Sequence, residues 1–147
     1  MGLDMYLTAK VYLSQYNEET KEISEKIASM MQTALVPKEV SFEAAYWRKA
    51  NAIHKWFVDN VQNGEDECKE YYVSRKDLQA LIDTCKAVLK DNTLADSLLP
   101  PQAGFFFGST DIDEYYRKDL EDTVESLEKI MVYFDNPKWD FYYQSSW

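Results

Sequence analysis

The stretch LDMYLTAKVYL at the start of the chain limits its fold most strongly, because Leu3, Met5, Leu7, Ala9, Val11 and Leu13 fall at every second position. Side chains alternate across a strand, so this spacing predicts a strand with one buried face and Asp4, Thr8 and Lys10 on the other. A half-buried strand needs partners. In the tail WDFYYQSSW, Trp139, Phe141 and Tyr143 alternate with Asp140, Tyr142 and Gln144, which predicts a final strand able to pair with the first.

The intervening sequence reads mainly as helix. Asn17 before Glu18 and Glu19 marks a helix start, and Ile23, Ile27, Met30 and Met31 recur at helical spacing, giving a helix over 18–34 that Pro37 ends. Residues 39–45 fit either a short strand or the approach to a helix. Tyr46, Ala50, Ile53 and Phe57 share one helical stripe, which predicts a helix over 46–60 stopped by Asn63-Gly64. Ser74 with Asp77 three residues on opens another helix, whose apolar face runs from Leu78 through Leu81, Ile82, Cys85 and Val88 to Leu89. A helical turn at 94–99 stops at Pro100-Pro101. Three phenylalanines between Gly104 and Gly108 suit a short strand or a tight connection, and are expected to fill the core. Thr110 with Asp113 repeats the capping pattern and opens a long helix to about Phe134. The expected architecture is one α+β domain spanning residues 1–147, with a small antiparallel sheet of N- and C-terminal strands packed by three or four helices.

Charge narrows the function classes. Sixteen basic residues stand against twenty-six acidic ones, a formal net charge of −10, whereas binding nucleic acid through its phosphates needs clustered Lys and Arg. Direct nucleic-acid binding is therefore not expected; a basic partner protein would be attracted, and solubility alone explains the charge equally well. No segment approaches the ~20 apolar residues of a membrane helix, and no secretory leader pattern opens the chain. Two cysteines, Cys68 and Cys85, without a CxxC or companion histidines, indicate neither a zinc site nor a disulfide framework. Aromatics reach 15%, with eleven tyrosines; they suit half-buried packing and equally a docking surface.

The densest cluster of chemistry is YWRKANAIHKWF, residues 46–57. If this segment is helical, Trp47, Asn51, His54 and Val58 line one flank, with Arg48 and Lys55 beside them. That flank could hold an anion, a nucleotide-like ligand or a partner's acidic loop, with Arg48 as a forked donor and a tryptophan for stacking. The same residues could instead serve as core anchors, solvated cations and a histidine bonded internally; both readings stand. Ser109 and Thr110, at the expected start of the last long helix, could add backbone amides to an anion pocket. His54 is the one side chain that titrates near neutrality unperturbed, but no nucleophile accompanies it: GST at 108–110 lacks the GxSxG elbow, and Cys85 sits on an apolar face. Asp111, Asp113 and Glu114 answer a helix dipole better than they build a metal site, and no P-loop or GxGxxG is present. No catalytic residue, metal or cofactor is expected.

The segments MGLDMYL, YWRKANAIHKWFVDNVQNGEDECKEYYVS and LLPPQAGFFFGSTDIDEYY, with the terminal QSSW, resemble a family of small proteins encoded by bacteriophages and prophages. Some members carry a phosphoglycerate kinase label, for which this chain is too short and lacks a phosphate-cradling glycine loop. The resemblance implies a viral accessory protein in the host bacterial cytoplasm, acting by binding and antagonising a host or defence component. Its partner would be a host protein or a small anionic ligand. Two alternatives remain open: a small enzyme acting on a phosphoester or nucleotide with His54 as acid and base, and a structural accessory forming homo-oligomers through the aromatic tail 139–147.

Overall fold

A computed structural model describes residues 2–147. Four strands, β1 (Asp4–Tyr12), β2 (Glu39–Arg48), β3 (Tyr71–Val73) and β4 (Asp140–Ser146), form one antiparallel sheet in the order β2-β1-β4-β3. The first and last strands pair as expected, with Asp4 opposite Ser146 and Lys10 opposite Asp140. Helices α1 (Glu18–Met30), α2 (Asn51–Asn60), α3 (Arg75–Lys90), α4 (Ala95–Leu98) and α5 (Glu114–Tyr133) complete the α+β fold.

Met5, Leu7 and Ala9 of β1, Phe141 and Tyr143 of β4 and Val73 of β3 all point to one side of the sheet and are buried. There they join Ile53 and Phe57 of α2, Leu78, Leu81, Ile82 and Cys85 of α3, and Leu120 and Leu127 of α5 in one continuous apolar core. The opposite face carries Tyr6, Thr8, Lys10 and Tyr142 at its centre, all partly exposed, so no helix lies over them.

Local signals set several boundaries. The Asn17 side chain accepts from Thr20 N–H and starts α1. Ser74 and Asp77 form a reciprocal capping box on α3. The last long helix begins later than expected: Asp113, not Thr110, is its cap, and the Asp113 carboxylate accepts from the backbone of Tyr115 and Tyr116. Helix α1 ends four residues early, and Met30 and Met31 are exposed at its end.

The largest difference lies at 39–50. The helix expected from Tyr46 starts at Asn51, and Tyr46, Trp47 and Arg48 belong to β2, paired with Tyr6, Met5 and Asp4. A register shift opposite Leu7 and Thr8 leaves Ala44 as an extra residue in β2. Val40 and Phe42 before it, and Ala45 and Trp47 after it, therefore face the same side despite opposite parity, which hides the strand from a search for strict alternation. Lys49, at φ 56°, then breaks the strand, and its backbone N–H donates to Leu3 C=O.

Candidate functional site

The residues singled out from the sequence separate into two neighbourhoods. Because strand side chains alternate, Trp47 and Arg48 point to opposite faces of β2. Trp47 is buried, its indole N–H donating to Thr123 Oγ1 of α5 at 2.8 Å, and its ring meets Phe57 edge-on. Arg48 points outward and pairs with Asp4 at 2.7 Å. The expected single helical flank of Trp47, Asn51 and His54 does not form, because the chain changes from strand to helix between the first residue and the second.

Asn51, buried at the first turn of α2, is a clamp on the segment 102–109. Its side-chain amide donates to Phe107 C=O at 3.1 Å and Ser109 C=O at 2.9 Å, and its side-chain oxygen accepts from Gln102 N–H at 2.9 Å. The clamped segment is a turn without strand pairing. Of its three phenylalanines only Phe107 enters the core; Phe105 and Phe106 are exposed, contrary to the expectation that all three fill it. Gly104 is required there, since a Cβ would stand 2.5 Å from the Phe107 ring. Gly108 turns the chain at φ +91° against the Lys49 side chain. Ser109 and Thr110 are exposed loop residues ahead of α5, so their amides do not form a helix N-terminus, and the Ser109 hydroxyl accepts from Asp111 N–H. Lys55, on the outer side of α2, pairs with Asp59 one turn along.

Arg48, Asn51 and Ser109 do border one cleft of about 300 Å³ between the start of α2 and the first half of α5. Its ionisable lining is acidic, however: Asp111, Asp113 and Asp119 stand against Arg48 and Lys49. Asp119 has no ion pair among the described residues; burial, with the nearby Asp122 and Asp113 carboxylates, pushes its pKa from 3.8 to about 6. Between these values the folded chain holds a proton that the unfolded chain has released, so this carboxyl weakens the fold as pH rises through that window. The shift corresponds to roughly 3 kcal/mol, reduced to about 1 kcal/mol for a partly exposed group screened by solvent. Asp119→Asn is accordingly expected to stabilise the protein by about 1 kcal/mol at pH 8 and by much less at pH 4, read from urea unfolding midpoints.

His54 does not reach this cleft. It is wholly buried, with both ring nitrogens engaged: Nε2 lies 2.9 Å from Asp66 Oδ1 and Nδ1 lies 2.7 Å from the Tyr143 hydroxyl. A carboxylate only accepts, so Nε2 carries the hydrogen and Nδ1 accepts from Tyr143. Burial holds the imidazole below its ordinary value against the pull of Asp66, which keeps the ring neutral. Burial also drives the Tyr143 hydroxyl well above its usual range. Asp66 Oδ1 further accepts from the indole of Trp147, and the Tyr143 ring stacks on Phe57 at 3.9 Å. The Asp66–His54–Tyr143 chain therefore ties α2, the loop after it and β4 together. Asp66 and Tyr143 were missed from sequence; the alternation that placed Tyr143 inward was the one available signal, since a buried hydroxyl needs a partner.

Burial pushes the Cys85 thiol up to about 12, so it is an unreactive core group at neutral pH. Among the described residues no three His, Cys, Asp or Glu side chains gather as metal donors, and no helix is long and apolar enough to cross a membrane.

What remains exposed and organised is the uncovered sheet face. Tyr6 and Tyr46 meet at 5.4 Å between ring centroids, Tyr72 and Tyr142 at 5.9 Å, and the Lys10 ammonium lies 4.8 Å over the Tyr142 ring. Four of the eleven tyrosines thus meet on one surface, and a fifth, Tyr12, is exposed on the same side of β1. Comparison of the chain with models of protein families, with curated proteins and with solved structures finds no match.

Proposed function

We propose that this protein works by binding a partner protein through the uncovered face of its sheet and performs no chemistry at His54. The observation that carries this reading is the tyrosine pavement itself. Antiparallel sheets can leave one face to water, but such faces are then mainly polar, whereas rigid half-exposed tyrosines supply contact area at little conformational cost. The alternative of an acid-base enzyme needs an imidazole within hydrogen-bond reach of a substrate, and both nitrogens of His54 are already taken inside the fold. A small anionic ligand is less well served, because the cleft beside Arg48 is lined by more carboxylates than cations. Taken with the resemblance to phage and prophage proteins, the reading is of a viral accessory protein that occupies a host protein in the bacterial cytoplasm.

The test is affinity capture from bacterial lysate with the tagged protein, its Tyr72→Ser variant and an Asp111→Asn variant in the cleft. A partner retained by the native protein and the cleft variant but lost by the face variant supports the reading. Loss with the cleft variant alone would move the binding site to the cleft.

A further inference from the structure

We infer that the partner segment received by the tyrosine face is basic and rich in arginine. The inference rests on the reading just given and adds the chemistry of recognition. The face already holds two cations of its own chain, and both sit in seats built from a carboxylate and tyrosine. Lys10 lies over the Tyr142 ring with its ammonium 2.9 Å from Glu70. Arg48 bonds the Asp4 carboxylate, which also accepts from the Tyr46 hydroxyl, and Tyr46 packs on Tyr6. At Lys10 the seat joins an aromatic ring to a carboxylate, and at Arg48 it joins a carboxylate to a tyrosine hydroxyl, so both cations of the face are held by a charge set among tyrosines.

The same face carries carboxylates left without a cation. Glu39 and Glu43 project from β2 opposite Tyr12 and Thr8, and Asp140 projects from β4 opposite Lys10. None of the three has an ion pair among the described residues, and all are exposed. Five carboxylates against two cations make the face negative, in a chain whose net charge is −10. Nucleic acid would be repelled, and a second copy of the chain would set like charges opposite one another. A basic segment satisfies the free carboxylates and places its cations over ring faces. Arginine suits the surface better than lysine, because its planar guanidinium both stacks on tyrosine and bonds a carboxylate through two N–H groups.

The experiment titrates the whole protein with fluorescent oligoarginine, oligolysine, oligoglutamate and glycine-serine peptides of equal length at physiological salt. It uses the native protein, Tyr72→Ser, the pair Glu43→Gln/Asp140→Asn, and as a charge-matched control Glu114→Gln/Glu121→Gln, which lie on α5, the helix packed against the covered side of the sheet. Circular dichroism establishes that each variant is folded. Oligoarginine is expected to bind most tightly, and both face variants to weaken it roughly tenfold while the charge-matched control stays near native. Equal weakening by the control would show general charge attraction and overturn the inference. If the glycine-serine or oligoglutamate peptide binds through the face and oligoarginine does not, the inference falls while the protein-binding reading stands. If a peptide binds and neither face variant weakens it, both fall. Binding of no peptide overturns the inference and leaves the reading to the capture experiment.

Discussion

Replacing His54 with alanine is expected to lower the unfolding free energy by about 3 kcal/mol and the thermal midpoint by about 10 °C. The cost arises from what the change strands. Asp66 loses its imidazole donor, the Tyr143 hydroxyl loses its acceptor in a fully buried site, and a cavity opens between α2 and β4. Scanning calorimetry measures the effect, and a ligand-binding histidine on an outer flank would instead leave the midpoint nearly unchanged. The pH dependence supplies a second signature. The folded imidazole titrates below 6.5, its value in an unfolded chain, so in the interval beneath 6.5 the unfolded chain holds a proton that the folded one lacks. Stability therefore falls as pH drops below about 6.5 and stops falling once the folded ring also protonates. The His54→Ala protein should lack this contribution, so the native and variant stability curves converge toward acid pH.

The second large effect is expected at Asn51. Asn51→Ala removes three hydrogen bonds to the backbone of residues 102–109, leaving two buried or half-buried carbonyls and one N–H without their partner. A loss of about 3 kcal/mol follows, together with faster proteolytic cleavage in the segment that Asn51 clamps. Asn51→Asp tests the direction of those bonds, because a carboxylate keeps the acceptor for Gln102 but has no N–H for Phe107 or Ser109. It should be at least as destabilising at neutral pH. If Asn51 served an external ligand, either change would weaken binding and leave the cleavage rate unaltered.

The two effects share an origin in the opening of α2. Helical spacing puts Trp47, Asn51, His54 and Val58 on one flank, and the sequence leaves open whether that flank is a binding surface or a set of core anchors with an internally bonded histidine. That spacing was real from Asn51 onward, and α2 does present Ile53 and Phe57 to the core as expected. It failed for Trp47 because β1 offers hydrogen bonds to residues 39–48, and that pairing exceeds any local preference for helix. The buried side of α2 is also wider than one stripe. The helix enters the core between the sheet and α5, so Asn51 and His54 are enclosed along with the apolar positions.

The sequence by itself determined the elements whose signals are local: the alternating first and last strands, the helix capped by Ser74, the body and end of the last long helix though not its start, and the α+β class that these imply. Periodicity and capping report which residues near one another in the chain must share a face, and that information needs no distant partner. Tertiary structure alone decided what lies opposite: the pairing that turned Tyr46 to Arg48 into strand across a bulge, the three-residue strand Tyr71–Val73 held only by β4, and the enclosure of His54 between Asp66 and Tyr143. Each depends on groups brought together from distant parts of the sequence, where desolvation and hydrogen bonding override local preference. The tyrosine face is of the same kind. Its residues were countable from the start, but only strand order and register set four of them side by side.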